Sequence, residues 1–464
     1  MTDHRPSSHL PPIDHLGAEH AVTGSCHLVR THGLNILFDC GLAQGEDAMR
    51  PLNQWPVPPA HIDYVFLTHA HVDHCGRLPM LVKQGFRGEI LTTHPTRLLV
   101  VPMIRDAMGF PEMDIDDQEA LLERLEELIW GFEFGRTFDL RNNLRFTFKR
   151  AGHILGSAFV HLQSREPRWS IIFSGDLGSP DQPILVPPEP PPPCDLLILE
   201  STYGDTLHGH REDRAKWLGA VLEHALADRG KVLIPAFALG RTQQLLHDLG
   251  RLASDPALLR RFPHLGLDAG IPVFLDTPLG IELTKIYNQL ADFWDTEARQ
   301  ALSEGEGPLD LANLYSAATT REHDELLALP GPHIVIAGSG MCTGGRIIDH
   351  LKRGIEDPRN DIVFVGYQAE GTPGRYILEH ANQPGARIAL EDQAYAIRAK
   401  VHRLSGYSAH ADQRELAQWV NAMPGRPGAI KLVHGEKPAR EALADLLRTQ
   451  GHHVLNDDWQ TAEQ

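Results

Sequence analysis

The sequence has 464 residues, of which 42% are hydrophobic, and it carries a formal net charge of −18 at neutral pH. This length predicts two domains or one domain with a large insertion, and the composition excludes general disorder. The negative charge argues against a protein that coats nucleic acid non-specifically through a broad basic surface, but it does not exclude a nuclease whose cleft is locally basic or carries metal ions.

The N-terminal segment and the cysteines indicate the compartment. Residues 1–12 are polar and rich in proline, without an apolar run, so we expect no secretory signal, no membrane span and a cytoplasmic location. The five cysteines show no C-x-x-C spacing, which argues against a disulfide framework and against a cysteine-type zinc site. We expect them to be small buried side chains, including Cys75 beside the histidines described below.

Four short apolar segments in the first 200 residues each lead into a polar residue. These predicted strands are residues 34–38 before Asp39, 64–68 before His69, 171–173 shortly before Asp176, and 196–199 before Glu200. Active sites of layered α/β proteins are commonly built at such strand ends.

Two other segments in this part of the chain predict packing rather than chemistry. Residues 118–129 carry leucines at helical spacing and predict an amphipathic helix that includes Ile129. Residues 187–193 contain six prolines and predict a stiff, extended spacer, with a recruitment site for a proline-binding partner as the weaker alternative. From about residue 206, helices alternate with strands that end near glycine, which predicts a parallel sheet flanked by helices.

The most informative pattern is the run HAHVDH at residues 69–74. At the end of a strand, a period of two would place His69, His71 and Asp73 on one side of the chain. Imidazole nitrogen and carboxylate oxygen are the ligands that zinc takes in catalytic sites. The run therefore predicts a metal site, and its more distant ligands are expected at His153, in a glycine-flanked turn, and at Asp176.

Asp39, the run at 69–74, His153 and Asp176 resemble, in order, the four motifs of the metallo-β-lactamase fold. The resemblance implies an αββα sandwich with a two-metal site at one edge. It implies that one zinc is held by His69, His71 and His153, that the other is held by Asp73, His74 and a further histidine, that Asp176 bridges them, and that Asp39 orients ligands from behind.

Later segments resemble motifs of the β-CASP subgroup, whose members process nucleic acids and carry a cassette inserted into the sandwich. They are ESTYG at 200–204, PAFALGR at 235–241, GSGM at 338–341, GYQAEGT at 366–372, SAHAD at 408–412 and LVHGE at 432–436. The likeness covers nearly the whole chain and is closest to bacterial ribonucleases that resemble the eukaryotic pre-mRNA 3′-end processing endonuclease. It implies a first sandwich part at 1–205, a β-CASP domain at 206–394 and a last sandwich part at 395–464.

The same resemblance assigns roles to three further residues. His434 would be the last zinc ligand, and a histidine there favours RNA because DNA-acting members tend to have valine. His410 would be the general acid, held by Glu200, since a neighbouring carboxylate favours a protonated imidazole. The alternative is that His410 only precedes a helix capped by Asp412 and Glu415. The predicted catalytic residues are Asp39, Asp73, Glu200 and His410.

The glycine-rich segment 338–346 follows a strand and opens a helix, a place that suits phosphate. Ser339 and Gly340 are therefore candidate substrate contacts, together with Arg241 and Arg375. The alternatives are a plain strand-to-helix turn for the first two residues and surface ion pairs for the two arginines.

The predicted function is a zinc-dependent ribonuclease that hydrolyses phosphodiester bonds of single-stranded RNA through hydroxide activated by two metal ions. Manganese or iron could replace zinc, because the ligand set is not exclusive. Three alternatives stay open: a DNA nuclease, a small-ester or thioester hydrolase of the same fold, and a non-catalytic RNA-processing scaffold. The sequence leaves open endonucleolytic against exonucleolytic action, and it is compatible with a homodimer.

Overall fold

The computed structural model describes residues 10–43, 55–107, 114–209, 214–266, 271–457 and 459. The chain forms two compact units: the first contains residues 1–207 and 410–464, and the second contains residues 208–409. Residues 1–9, which carry most of the expectation that there is no secretory signal, lie outside the described residues. The domain boundaries expected at 205/206 and 394/395 stay predictions.

The described part of the first unit contains two sheets and six helices. Its strands are β1 (Ile13–Gly17), β2 (Cys26–Thr31), β3 (Leu34–Phe38), β4 (Tyr64–Phe66), β5 (Glu89–Thr93), β6 (Ile129–Phe132), β7 (Thr137–Asp139), β8 (Leu144–Arg150), β9 (Ala158–Ser164), β10 (Trp169–Phe173), β11 (Leu196–Glu200) and β20 (Ala429–Val433). Its helices are α1 (Val72–Cys75), α2 (Leu78–Lys83), α3 (His94–Ala107), α4 (Ile115–Leu128), α13 (Gln413–Asn421) and α14 (Lys437–Thr449).

Each sheet of the first unit has one antiparallel half and one parallel half. The first sheet has the order β1-β2-β3-β4-β5-β6, antiparallel from β1 to β3 and parallel from β3 to β6. The second has the order β20-β11-β10-β9-β8-β7, parallel from β20 to β10 and antiparallel from there to β7. The strands β3 and β4 in one sheet, and β10, β11 and β20 in the other, are therefore parallel neighbours.

The two sheets face each other across one hydrophobic core. Phe38 of β3 stacks on Phe173 of β10 with 3.7 Å between ring centroids, and Phe66 of β4 meets Phe146 of β8 at 5.0 Å. All four rings are buried, so apolar area between the sheets drives the layers together.

Helices cover the outer faces of both sheets. Helices α13 and α14 pack on the second sheet through Leu416 and Leu443, which lie in one buried cluster with Leu197 and Leu199 of β11. Helix α3 contacts β5 and β6 of the first sheet, and α4 packs against α2 and α3. The predicted αββα sandwich is confirmed.

The structure can be compared with the sequence at the end of helix α4 and in the proline segment. Helix α4 ends at Leu128, whereas Ile129, which the sequence predicts as helical, begins β6 and pairs with Ile90 of β5. The proline segment 187–193 forms neither helix nor strand. It is fixed to the unit at Glu189, whose carboxylate pairs with Lys149 at 3.1 Å and whose carbonyl accepts a hydrogen bond from Trp419 Nε1 at 2.8 Å.

The second unit is a parallel α/β sheet. Its described strands are β12 (Lys231–Pro235), β13 (Val273–Asp276), β14 (Leu314–Ser316), β15 (His333–Ala337), β16 (Asp361–Phe364), β17 (Arg387–Leu390), β18 (Gln393–Ala396) and β19 (Lys400–Arg403). Its described helices are α5 (Arg214–Ala227), α6 (Arg241–Ser254), α7 (Pro256–Arg261), α8 (Pro278–Gln289), α9 (Thr296–Ser303), α10 (Thr320–Ala328), α11 (Ile347–Gly354) and α12 (Pro373–His380).

The main sheet of this unit has the order β14-β13-β15-β12-β16-β19, and β17 and β18 form a separate hairpin. All neighbours in the main sheet are parallel, as the alternation of strands and helices predicts. None of the helices in the described ranges is long and apolar enough to cross a membrane.

Candidate active site

Five of the residues singled out in the first unit lie at the carboxyl ends of strands that have parallel neighbours. Asp39 and His69 follow β3 and β4 in the first sheet, while Asp176, Glu200 and His434 stand at or just after the ends of β10, β11 and β20 in the second. Parallel neighbours have their carboxyl ends at the same edge of a sheet. Each sheet therefore carries its polar side chains at one edge, where they can meet those of the other sheet.

The run at residues 69–74 is not an extended strand throughout. Helix α1 begins at Val72, with the amide groups of His74 and Cys75 donating to the carbonyl of His71 at 2.9 and 3.0 Å. The predicted alternation is therefore wrong beyond His71, and Asp73 reaches the site from the first turn of a helix. Cys75 is buried and its thiol donates to the Ala70 carbonyl at 3.4 Å, consistent with the packing role we expect for it.

Four side chains form a first group of potential metal ligands: His69, His71, His153 and Asp176. His71 Nδ1 lies 3.1 Å from His69 Nε2 and 3.1 Å from His153 Nε2. Asp176 Oδ2 lies 3.5 Å from the Nε2 atoms of both His69 and His153. The four donor atoms therefore converge on one small volume.

A second group contains Asp73, His74 and His434, and it faces the other oxygen of Asp176. His74 Nε2 lies 3.3 Å from His434 Nε2 and 3.2 Å from Asp176 Oδ1. Asp73 Oδ2 lies 3.6 Å from His434 Nε2 and 3.9 Å from His74 Nε2. Asp176 thus presents one carboxylate oxygen to each group.

These separations fit a divalent metal such as zinc. With zinc–nitrogen bonds of about 2.0–2.1 Å, the ligands of a tetrahedral site lie about 3.3 Å apart. The imidazole nitrogens of the first group approach one another at 3.1 Å, and those of the second at 3.3 Å. Asp176 Oδ1 is buried without a hydrogen-bond partner, which leaves a lone pair aimed into the second group.

The protonation tendencies of the first group of ligands favour metal binding. Burial lowers the pKa of His69 and of His153 well below the ordinary value, so both are neutral imidazoles at neutral pH. Burial alone would raise the pKa of Asp176, but the surrounding histidines, His434 first, hold it well below its usual range. Neutral imidazole and ionised carboxylate are the forms that bind metal ions.

Asp39 supports the site from behind. Its Oδ2 lies 2.7 Å from His74 Nδ1, and its Oδ1 accepts a hydrogen bond from the Thr68 amide at 2.8 Å. Asp39 and His434 both adopt left-handed backbone conformations, with φ of 58° and 51°. Such conformations are uncommon for residues other than glycine and concentrate at functional sites.

His410 lies beside both metal groups and is held by Glu200. Its Nδ1 is 3.2 Å from Glu200 Oε1, and its Nε2 is 3.8 Å from Asp176 Oδ2. The Glu200 carboxylate is buried and accepts hydrogen bonds from the amides of Leu177 and Thr202, at 2.7 and 3.2 Å. Burial alone would lower the pKa of His410, but the carboxylates of Glu200 and Asp176 raise it above the ordinary value.

The alternative role of His410, as a residue that precedes a helix, is also present in the structure. Asp412 and Glu415 form the predicted capping box at the start of α13. The capped helix fixes the backbone next to His410, and Gly178 pairs with His410 as an isolated β-bridge. The cap and the contact with Glu200 therefore coexist.

The four candidate substrate contacts lie in the second unit. Arg241 begins α6, is buried, and donates a hydrogen bond to Gln244. Arg375 in α12 pairs with Glu379 one turn later, the surface ion pair that we weighed as its alternative. Ser339 Oγ accepts a hydrogen bond from the Thr343 amide at 3.0 Å, within the glycine-rich turn. Contact of these residues and of Gly340 with a substrate stays a prediction.

Sequence reasoning did not find a buried cluster in the second unit formed by Asp276, His323 and His350. Asp276 Oδ2 lies 2.6 Å from His323 Nδ1 and 2.7 Å from His350 Nε2, and Arg346 donates to Oδ1 at 2.7 Å. These distances are those of hydrogen bonds, shorter than the ligand separations of a zinc site, and a guanidinium occupies the same carboxylate. The cluster ties β13 to α10 and α11.

Comparison with known proteins decides the family. Residues 21–236 match the metallo-beta-lactamase superfamily, residues 242–377 the Beta-Casp domain, and residues 394–456 the Zn-dependent metallo-hydrolase RNA specificity domain. The chain is 38% identical over 441 residues to Ribonuclease TTHA0252 of Thermus thermophilus, covering 94% of this chain and 96% of that protein. The chain belongs to the β-CASP subgroup of the metallo-β-lactamase superfamily.

Two further relatives are archaeal proteins. The chain is 32% identical to Transcription termination factor FttA of Pyrococcus horikoshii and 30% identical to FttA of Methanocaldococcus jannaschii. These alignments cover 91% and 94% of this chain but only 66% and 68% of the archaeal proteins, so the chain spans about two thirds of their length.

A solved structure of a protein of unknown function from Enterococcus faecalis V583 shares the fold, with a TM-score of 0.54 and 12% identity over 97% of this chain and 99% of that one. Membership of the β-CASP subgroup makes this chain a metal-dependent hydrolase of a nuclease family. The predicted fold, family and enzyme class are confirmed.

Proposed function

We propose that this β-CASP protein is a zinc-dependent ribonuclease that hydrolyses phosphodiester bonds of single-stranded RNA with two metal ions and with His410 as general acid. The observation that carries the proposal is the pair of donor groups that share Asp176, one carboxylate oxygen facing each group. Two adjacent metal sites of this kind suit displacement at a phosphate.

RNA is favoured as the substrate by the last part of the chain. The segment that matches the Zn-dependent metallo-hydrolase RNA specificity domain, residues 394–456, contains both His410 and His434. The Thermus thermophilus relative that the chain matches over nearly its whole length is named a ribonuclease. A homodimer and a cytoplasmic location remain predictions of the sequence.

In the proposed mechanism, one metal ion would be held by His69, His71, His153 and Asp176. The other would be held by Asp73, His74, His434 and the second oxygen of Asp176. When bound, the two ions would activate water as a nucleophile at neutral pH and offset the negative charge of the phosphodiester.

The remaining residues position groups and move a proton. Glu200 engages Nδ1 of His410, so that Nε2 points toward the metal groups, 3.8 Å from Asp176 Oδ2. The carboxylates of Glu200 and Asp176 raise the pKa of His410 and so favour its protonated form, from which Nε2 can donate a proton to the leaving oxygen. Asp39 holds the imidazole of His74 from behind.

An assay with matched oligonucleotides tests this proposal. End-labelled single-stranded RNA and DNA of the same sequence, with free and with blocked termini, are incubated with wild-type protein and with His71→Ala. We expect metal-dependent cleavage of RNA, little cleavage of DNA, and loss of activity in His71→Ala. No cleavage of RNA by metal-loaded wild type, or full activity in His71→Ala, would contradict the proposal.

The same experiment separates the alternatives. Preferential cleavage of DNA would favour a DNA nuclease, and activity on a thioester panel without RNA cleavage would favour a small-ester hydrolase. The scaffold alternative predicts no metal-dependent hydrolysis of any substrate, and the family and the converging donor groups oppose it.

A further inference from the structure

Two threonine hydroxyls contact the outer nitrogens of histidines in the candidate metal groups. Thr68 Oγ1 lies 3.1 Å from His69 Nδ1, and Thr202 Oγ1 lies 3.0 Å from His434 Nδ1. One histidine belongs to each metal group, and both threonines are buried. Neither hydroxyl faces the site itself, since in both histidines it is Nε2 that faces the other donors.

Each hydroxyl has a second neighbour that can only accept a hydrogen bond. Thr68 Oγ1 lies 3.0 Å from the carboxylate oxygen Oδ2 of Asp39, and Thr202 Oγ1 lies 3.2 Å from the carbonyl oxygen of His434. A threonine hydroxyl has one hydrogen to give. When that hydrogen goes to the acceptor, the hydroxyl oxygen is left to accept a hydrogen bond from the imidazole.

We propose that Thr68 and Thr202 are positioning residues that fix the Nδ1–H tautomer of His69 and His434, so that each Nε2 presents a lone pair to its metal ion. Asp39 does the same for His74 directly, with Oδ2 2.7 Å from Nδ1. A group behind a metal-binding histidine that accepts its other N–H sets both tautomer and ring orientation. The proposal rests on the metal-binding part of the proposed function and does not depend on the substrate.

The test replaces each threonine with valine, which keeps the shape and removes the hydroxyl, and with serine, which keeps the hydroxyl. Thr147→Val is the matched control, because Thr147 is buried in the same unit and, among the described residues, its hydroxyl forms a hydrogen bond with Thr137, at 2.9 Å, and with no histidine. Zinc binding is measured by competition with a colorimetric chelator, which resolves two ions per chain.

We expect Thr202→Val and Thr68→Val each to lower the affinity for one of the two zinc ions by about ten- to a hundredfold. Removal of a group that hydrogen-bonds to a metal ligand has an effect of this size on metal affinity. The serine variants should bind within about threefold of wild type, and Thr147→Val should bind as wild type. If either valine variant fails to fold, the alanine variant is compared with the serine variant at the same position.

Nuclear magnetic resonance of the metal-free protein gives an independent readout. Long-range nitrogen–proton spectra report which ring nitrogen of His434 carries the proton, with assignment by comparison with His434→Gln. We expect Nδ1–H in wild type and in Thr202→Ser, and a mixture of tautomers in Thr202→Val.

Two results would overturn the proposal: unchanged affinity for both ions in the valine variants, or an Nδ1–H tautomer that persists in Thr202→Val. A wild-type protein that binds no zinc would refute the proposed function, whereas the tautomer measurement would still decide the role of Thr202.

Discussion

Asp176 is the residue at which the two metal groups meet. Its Oδ2 faces His69 and His153 at 3.5 Å, and its Oδ1 faces His74 at 3.2 Å and His434 at 3.7 Å. A single carboxylate therefore couples donors that come from both sheets. Because its loss removes a ligand from each group, Asp176→Ala should bind neither ion tightly. His71→Ala should mainly lower the affinity for the one ion that the first group would hold.

A leaving-group experiment tests the role of His410. His410→Ala should lower the rate of RNA cleavage by about 10²–10⁴-fold, because protonation of the leaving oxygen by a positioned group contributes that much. A nitrophenyl phosphodiester has a leaving group that needs no proton, so its hydrolysis should fall far less. Equal losses on both substrates would show that His410 acts on structure or metal binding rather than as the acid.

At the level of single residues, the sequence predicts the metal-ligand residues better than it predicts the residues that hydrogen-bond to them. The donors at 69–74 are recognisable because ligand types recur at short spacing. Thr202 contacts a histidine 232 residues away, and no local pattern records that contact. Asp276 directly follows the apolar residues 273–275, but its partners His323 and His350 come from separate helices.

At the level of elements, hydrophobic patterns located the strands and helices but not always their ends. The apolar spacing of α4 continues into Ile129, which belongs to β6, because a residue that packs well against a helix face also packs well in a buried strand. The start of α1 within the histidine run was missed, since a helix of four residues has no periodicity to read. The strand ends that carry Asp39 and Glu200 were predictable from apolar segments.

Helix α13 offers a prediction about capping. The Asp412 side chain accepts a hydrogen bond from the Glu415 amide at 2.8 Å, and the Glu415 carboxylate accepts one from the Asp412 amide at 2.8 Å. Asp412→Ala should lower the free energy of unfolding by about 1 kcal/mol, as loss of an N-cap does. Glu415→Gln is the matched control, because glutamine serves the same capping box. Urea denaturation of both variants measures the difference, and equal stability of Asp412→Ala and wild type would contradict it.

At the level of the whole molecule, metal removal should affect one unit. All residues of both donor groups lie in the unit formed by 1–207 and 410–464. An ion that binds only the folded state stabilises it according to its concentration and affinity. Chelator-treated protein should therefore lose hydrogen-exchange protection at the site-bearing strand ends β4, β10 and β20, and zinc should restore it. Loss of protection centred on residues 208–409 would contradict the assignment.

The second unit has its own buried charge. Hydrogen bonds from His350, His323 and Arg346 outweigh burial and hold the pKa of Asp276 below its ordinary value of 3.8. A carboxyl whose pKa is lowered on folding stabilises the folded state above its unfolded pKa, and that contribution declines as the pH falls through its folded pKa.

Asp276→Asn should therefore destabilise the second unit by about 3–5 kcal/mol at neutral pH, the cost of breaking a buried charge network. The part of this difference that comes from the Asp276 carboxylate itself should persist from pH 8 down to about pH 5 and shrink only in stronger acid. Urea denaturation across that range is the measurement. A difference that vanishes between pH 8 and pH 5 would show that Asp276 is not the group responsible.

The two-metal site is tested by the number of zinc ions bound per chain, measured by native mass spectrometry for wild type, His71→Ala, His434→Ala and Asp176→Ala. We expect two ions in wild type, one in each histidine variant, and none retained tightly in Asp176→Ala. A wild-type protein with one ion or none, or histidine variants that keep both ions, would contradict the conclusion that two metal sites share Asp176.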